Sequence, residues 1–260
     1  MSATIKHRSP QMRSVLLSCA LVLFVTLAGR ANAEDTVTLT PRPGVSEAML
    51  LTFNDHAPAA IVLLPGGGGV LASVHGNFLL RVRGRFTEAG FTVAVLDAPS
   101  DRSSGMDAAY RASAEHGQDI AAAVHFLKQK SSAPVWLVGT SRGTVSAANG
   151  AVRLGRGEIA GVVLTSSIWS GGISMVPLNQ IAVPVLVVHN RDDGCGESPY
   201  AGVAGGMDAL KAAPAKELIT VSGGTSRSRP CDALSPHGYY GIEDQVVPAI
   251  IAWIKAHPPR

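Results

Sequence analysis

Charge is scarce in this 260-residue chain: 16% of residues are charged, against 46% hydrophobic. That balance excludes disordered and fibrous classes. No internal repeat or low-complexity linker is present, and the length suits one well-buried domain better than two. There are three cysteines, Cys19, Cys195 and Cys231. None forms a C-x-x-C pair or stands in metal-ligand spacing with histidines, so no metal site is expected. Basic runs interleaved with aromatics are missing, which removes the usual footprint of nucleic-acid binding.

The positive charge that does exist is concentrated at the start. Lys6, Arg8 and Arg13 precede an apolar run, Val15 to Leu27, which is short for a membrane span. Ala31-Asn32-Ala33 then offers small residues where a signal peptidase reads. Residues 1–33 are therefore expected to be a signal peptide cut before Glu34, and residues 34–260 a single domain. An uncleaved anchor is the alternative. Leu16-Leu17-Ser18-Cys19 looks like a lipobox but fits badly, because most of the apolar run follows the cysteine. The leader holds four of the 22 bases, Lys6, Arg8, Arg13 and Arg30, and no acid, which leaves 18 bases against 19 acids. The formal net charge of +3 thus belongs to export, with no nucleic-acid partner implied and no membrane partner after cleavage. Cys19 leaves with the leader, and two cysteines remain for an oxidising compartment.

Beyond the leader, short apolar runs alternate with helical spacing. Strands are expected at Val37 to Thr40, Ala48 to Phe53, Ala60 to Leu64, Phe91 to Leu96, Val135 to Val138, Ile159 to Leu164, Val183 to Val188 and Leu218 to Val221. Helices are expected at Phe78 to Ala89, Met106 to Lys130, Thr144 to Leu154, around Asp208 to Lys211, and at Gln245 to Lys255. This pattern predicts an α/β fold, a mostly parallel sheet covered by helices on both faces. Ligands in such sheets sit beyond the carboxyl ends of the strands.

Chemistry-bearing residues fall at those ends. After Val135 to Val138 comes Gly139-Thr140-Ser141-Arg142-Gly143, a G-x-S-x-G in strand–turn–helix context. Ala60 to Leu64 ends in Pro65-Gly66-Gly67-Gly68-Gly69, and Val183 to Val188 runs into His189-Asn190-Arg191-Asp192-Asp193. The glycine run lacks the Gly-Lys-Ser/Thr of a phosphate loop and the spacing of a dinucleotide fingerprint. Ser235-Pro236-His237-Gly238 follows the last strand.

These four segments, in this order, resemble the α/β-hydrolase superfamily over nearly all of the chain after the leader. The resemblance implies a central eight-stranded sheet with one antiparallel strand near its start. It also implies no large lid, since residues 164–183 leave little room for one. Ser141 is implied as nucleophile. Of eight histidines, only His237 lies in a loop after the last strand, so it is implied as the base. His116 and His125 sit within the expected long helix, where a solvated or capping role is the default. His75 could line a pocket, and His189 would structure the acid loop. The acid is Asp193 or Asp192, and the family spacing favours Asp193. The oxyanion donors would be the N–H groups of Arg142 and of Gly67, with Gly68 the alternative. Trp169 and Met175 could line the substrate pocket. Asp97 and Asp101 are expected to brace loops.

The implied function is an exported serine hydrolase acting on a carboxylic ester, thioester or amide through an acyl-enzyme, with no metal or organic cofactor. Its partner would be a small-molecule or peptide acyl substrate. A peptidase, an acyltransferase or a non-catalytic binding protein on the same fold is the alternative. A triad requires the acid and histidine loops to meet. Cys195, two residues after Asp193, and Cys231, six before His237, are therefore expected to form a disulfide.

Overall fold

The computed structural model describes residues 1–2, 33–169 and 171–258. The expected leader, with Cys19, falls almost wholly outside the described residues. Residues 33–258 belong to one compact unit.

Eight strands make one sheet: β1 (Glu34–Arg42), β2 (Val45–Thr52), β3 (Ala60–Leu64), β4 (Thr92–Leu96), β5 (Val135–Thr140), β6 (Gly161–Thr165), β7 (Val185–Asn190) and β8 (Lys216–Val221). Their spatial order is β1-β2-β4-β3-β5-β6-β7-β8. β2 is antiparallel to both neighbours, and every pairing from β4 to β8 is parallel. Every residue of β3, β4, β5, β6 and β7 is buried. Apolar runs without polar alternation need cover on both faces, and helices supply it.

Side chains alternate between two cores. Val62 and Leu64 of β3 join Ile120, Val124 and Leu127 of α3 (Ala114–Lys130) and Val145 and Ala148 of α4 (Gly143–Glu158). Ile61 and Leu63 join Phe78, Leu79 and Phe86 of α1 (Phe78–Glu88), with Val246, Ile250 and Trp253 of α6 (Glu243–Ala256). Both cores together hold the strand ends in place, so the loops beyond them are carried on a rigid base.

The expected long helix from 106 to 130 is two helices. α2 (Ala108–Arg111) is capped by Asp107, and α3 is capped by Ser113, whose side chain accepts from the His116 N–H. The extended backbone that Ser113 adopts as this cap interrupts the helix, although the apolar spacing runs through it. α5 (Val203–Ala209) starts earlier than the helix expected around Asp208 to Lys211 and overlaps only its first two residues. Between β6 and β7 the described backbone forms two short 3-10 turns, Gly172–Met175 and Leu178–Gln180. Among the described residues, no large lid stands there.

Candidate active site

Ser141 sits at the tip of the turn between β5 and α4 with φ +53°. Non-glycine residues seldom adopt that angle, and here the neighbouring glycines make it possible. A side chain at Gly139 would run into the Gly143 carbonyl, and one at Gly143 into the Leu64 carbonyl. The Ser141 N–H is tied to the Thr165 carbonyl at 2.9 Å, and its own carbonyl accepts from the Thr144 N–H and hydroxyl.

His237 lies in the short turn Pro236–Gly238. Three neighbours fix that turn. Ser166 Oγ donates to the His237 carbonyl at 2.7 Å, and Asn190 Nδ2 donates to the Pro236 carbonyl at 3.0 Å. The Tyr239 hydroxyl reaches across to the Val188 carbonyl at 2.8 Å. Asn190 thus ties the acid strand to the histidine turn.

The imidazole Nδ1 is 2.8 Å from Asp193 Oδ2, while Nε2 is buried without a hydrogen-bond partner. An ionised carboxylate can only accept, so Nδ1 carries the proton and Nε2 the lone pair in the neutral ring. Asp193 also accepts from the Ser198 hydroxyl at 2.7 Å and from the Cys195 N–H at 2.9 Å. Ser198 Oγ is 2.9 Å from His237 Nδ1 too. Its single hydrogen is committed to the carboxylate. Asp192 faces elsewhere: its carboxylate accepts from the Gly223 N–H at 2.6 Å. The structure thereby joins His237 to Asp193 and leaves Asp192 out.

A cavity of about 240 Å³ is lined by Ser141, His237, Gly66, Gly67, Asn77 and Cys231, among others. Gly66 is pressed against the nucleophile turn, and a Cβ there would stand 2.8 Å from Ser141 Cβ. Among the described residues, the N–H groups of Arg142, Gly67 and Gly68 make no hydrogen bond. Gly67 lines the cavity and Gly68 does not. Cys195 and Cys231 are joined in a disulfide, with Cα atoms 4.5 Å apart.

The structure corrects the expectations for His75, Trp169, Met175 and His116. His75 is exposed and does not line this cavity; it lies in the loop just before Asn77, which caps α1. Trp169 packs over Gly202 and Gly206 and lines a separate cavity of about 570 Å³. Met175 is more than half exposed and lines neither. His116 is neither solvated nor a cap: it is buried between Asp119 and Ser146. His189 does structure the acid loop. Its Nε2 donates to the Ser198 carbonyl at 2.9 Å, and burial lowers its pKa. Asp97 receives the Leu71 and Ala98 N–H groups, and Asp101 pairs with Arg42, so both brace loops. Sequence reasoning passed over Ser198 and the buried Arg111, described below. Neither follows a strand end or belongs to a short motif. The His116–Asp119 spacing of i, i+3 is the sequence signal for the buried group of His116, Asp119 and Ser146.

No protein-family model matches the chain, and no curated protein matches its sequence. Solved structures do resemble it. Dienelactone hydrolase from Anabaena variabilis ATCC 29413 is 16% identical with a TM-score of 0.67, over 88% of this chain and 99% of that one. Esterase Pf2001 from Pyrococcus furiosus is 16% identical with a TM-score of 0.64, over 87% of this chain and 91% of that one. Est1E from Butyrivibrio proteoclasticus, solved with ferulic acid, is 15% identical with a TM-score of 0.64, over 85% and 98%. The fold is that of the α/β hydrolases.

Proposed function

We propose that this protein is an exported serine hydrolase that cleaves a small carboxylic ester through an acyl-enzyme on Ser141. One observation carries the reading: a buried imidazole, held at Nδ1 by Asp193, keeps Nε2 unpartnered in a cavity it shares with Ser141. That is the arrangement a general base needs before substrate arrives.

In the proposed reaction, Ser141 Oγ attacks the ester carbonyl carbon as its proton passes to His237 Nε2. The carbonyl π electrons move to oxygen, which the Gly67 and Arg142 N–H groups receive. Collapse breaks the bond to the alkoxy group, which leaves with the proton from His237. Water then repeats the sequence on the acyl-enzyme, releasing the acid and restoring Ser141. The cavity volume suits a short acyl group. Thioesters and amides use the same steps. Export is supported by the leader pattern of residues 1–33 and by the disulfide.

A fluorophosphonate probe tests the reading. The protein should become covalently labelled and should hydrolyse p-nitrophenyl acetate. Ser141→Ala should abolish labelling and cut turnover by several orders of magnitude, on the scale of losing a triad member. A wild-type protein that neither labels nor turns over an ester would be a binding protein instead. Preference for peptide amides, or transfer of the acyl group to an alcohol over water, would redirect it to a peptidase or an acyltransferase.

A further inference from the structure

A buried cation lies behind the glycine loop. Arg111, on α2, is 1% exposed. Its guanidinium donates to Ser146 Oγ at 2.7 Å and to the Gly67 carbonyl at 3.2 Å. A side chain at Gly69 would collide with this guanidinium and with Met106, so the loop is wrapped closely on it. Among the described residues, no carboxylate pairs with Arg111 directly. Burial, with the charge of Arg142 second, lowers its pKa to about 10, which still leaves it cationic at neutral pH.

A carboxylate is reached through a relay of hydrogen bonds. Ser146 accepts from Arg111, which leaves its own hydrogen for His116 Nε2, 2.8 Å away. His116 Nδ1 then faces Asp119 Oδ2 at 3.3 Å. Burial holds the His116 ring neutral, so the chain of donors has one direction, from Arg111 to Asp119. Asp119 is buried, yet bonds from His116, Arg42 and Tyr110 keep its pKa low. Ser146, His116 and Asp119 thus repeat the composition of a catalytic triad. Ser146 is wholly buried, however, and donates inward.

We propose that Arg111 is the positioning residue of the oxyanion site: by gripping the Gly67 carbonyl it fixes the glycine loop facing Ser141, and its charge favours the negative oxygen that forms there. The proposal rests on the hydrolase reading above. A buried cation with no carboxylate beside it is costly. That cost falls when an anion appears nearby, and the tetrahedral intermediate supplies one. The gain is greater in the transition state than with bound ester, so it acts on kcat rather than on KM.

The test compares Arg111→Met, Arg111→Lys and Ser146→Ala in steady-state hydrolysis of p-nitrophenyl acetate, with inhibition by a trifluoromethyl ketone, whose adduct carries the oxyanion. Arg111→Met should lower kcat by on the order of 10- to 100-fold, less than outright loss of a donor. KM should barely move, and ketone affinity should fall in parallel. Arg111→Lys keeps the charge and one bond, and should recover part of both. Unchanged kcat and ketone affinity in folded Arg111→Met would overturn the proposal. So would an Arg111→Lys no better than Arg111→Met, which would mark the residue as packing alone. If Arg111→Met does not fold, Ser146→Ala carries the test. It frees one end of the guanidinium, and kcat should drop severalfold at constant KM. No change there also overturns the proposal. Failure of the wild type to label with fluorophosphonate would instead sink the hydrolase reading beneath it.

Discussion

Two adjacent carboxylates, Asp192 and Asp193, meet different partners because the chain turns between them. Asn190 receives the Asp192 N–H on its side chain at 3.0 Å, which sends Asp192 out to Gly223 and Asp193 inward to His237. Asp193→Asn should therefore lower turnover by up to about 10⁴-fold, since an amide no longer fixes the imidazole tautomer. Asp192→Asn should cost far less. Ser198→Ala removes a donor from the Asp193 carboxylate but leaves Nδ1 in place, so it should fall between them. Initial rates of the three variants on one ester give the ranking, and the reverse order for 192 and 193 would move the role to Asp192. At this scale the sequence was legible where a motif reports a backbone need, as at Ser141. It was silent on Ser198, which reaches Asp193 only because the disulfide-linked loop folds back. It was silent on Arg111 too, which lies in the short helix before the break at Ser113.

Among elements, β2 carries an anomaly. Glu47 is 1% exposed and neither carboxyl oxygen has a partner. Burial, with the charge of Asp119 next, pushes its pKa up to about 9, from 4.5 in the absence of these surroundings. The folded protein therefore holds a proton that the unfolded chain releases. Stability from this group is full below pH ~4.5 and declines as pH rises toward 9. Glu47→Gln keeps the shape without the titration. It should gain on the wild type progressively across that window, with Tm measured at several pH values as the check. A constant difference in Tm would mean that Glu47 does not titrate on unfolding. Elements themselves were readable where burial on both faces forces unbroken apolar runs: β3 matches its expected bounds residue for residue. Boundaries drifted where hydrogen bonds rather than hydrophobicity decide. β7 extends through His189 and Asn190 because they pair with Thr220 and Val221 of β8, which no apolar pattern records.

For the molecule as a whole, the Cys195–Cys231 bond connects the acid loop to the wall of the cavity. The Cys195 N–H serves Asp193, and Cys231 lines the space above Ser141. The bond spans a sequence separation of 36, which corresponds to about 4 kcal/mol in the loop-closure account. Reduction should lower Tm and kcat together, and reoxidation should restore both. Thiol titration of the unfolded, unreduced chain without residues 1–33 should find no free thiol; two would refute the pairing. A different consequence follows from the strand order. β1 and β8 are the outer strands, and each begins with exposed charge: Glu34 and Asp35 on one, Lys216 and Glu217 on the other. A strand from another molecule docking at either rim would meet ionic groups that must shed water before backbone pairing begins. A sheet so rich in valine and leucine is thereby guarded against growing into an aggregate at its margins.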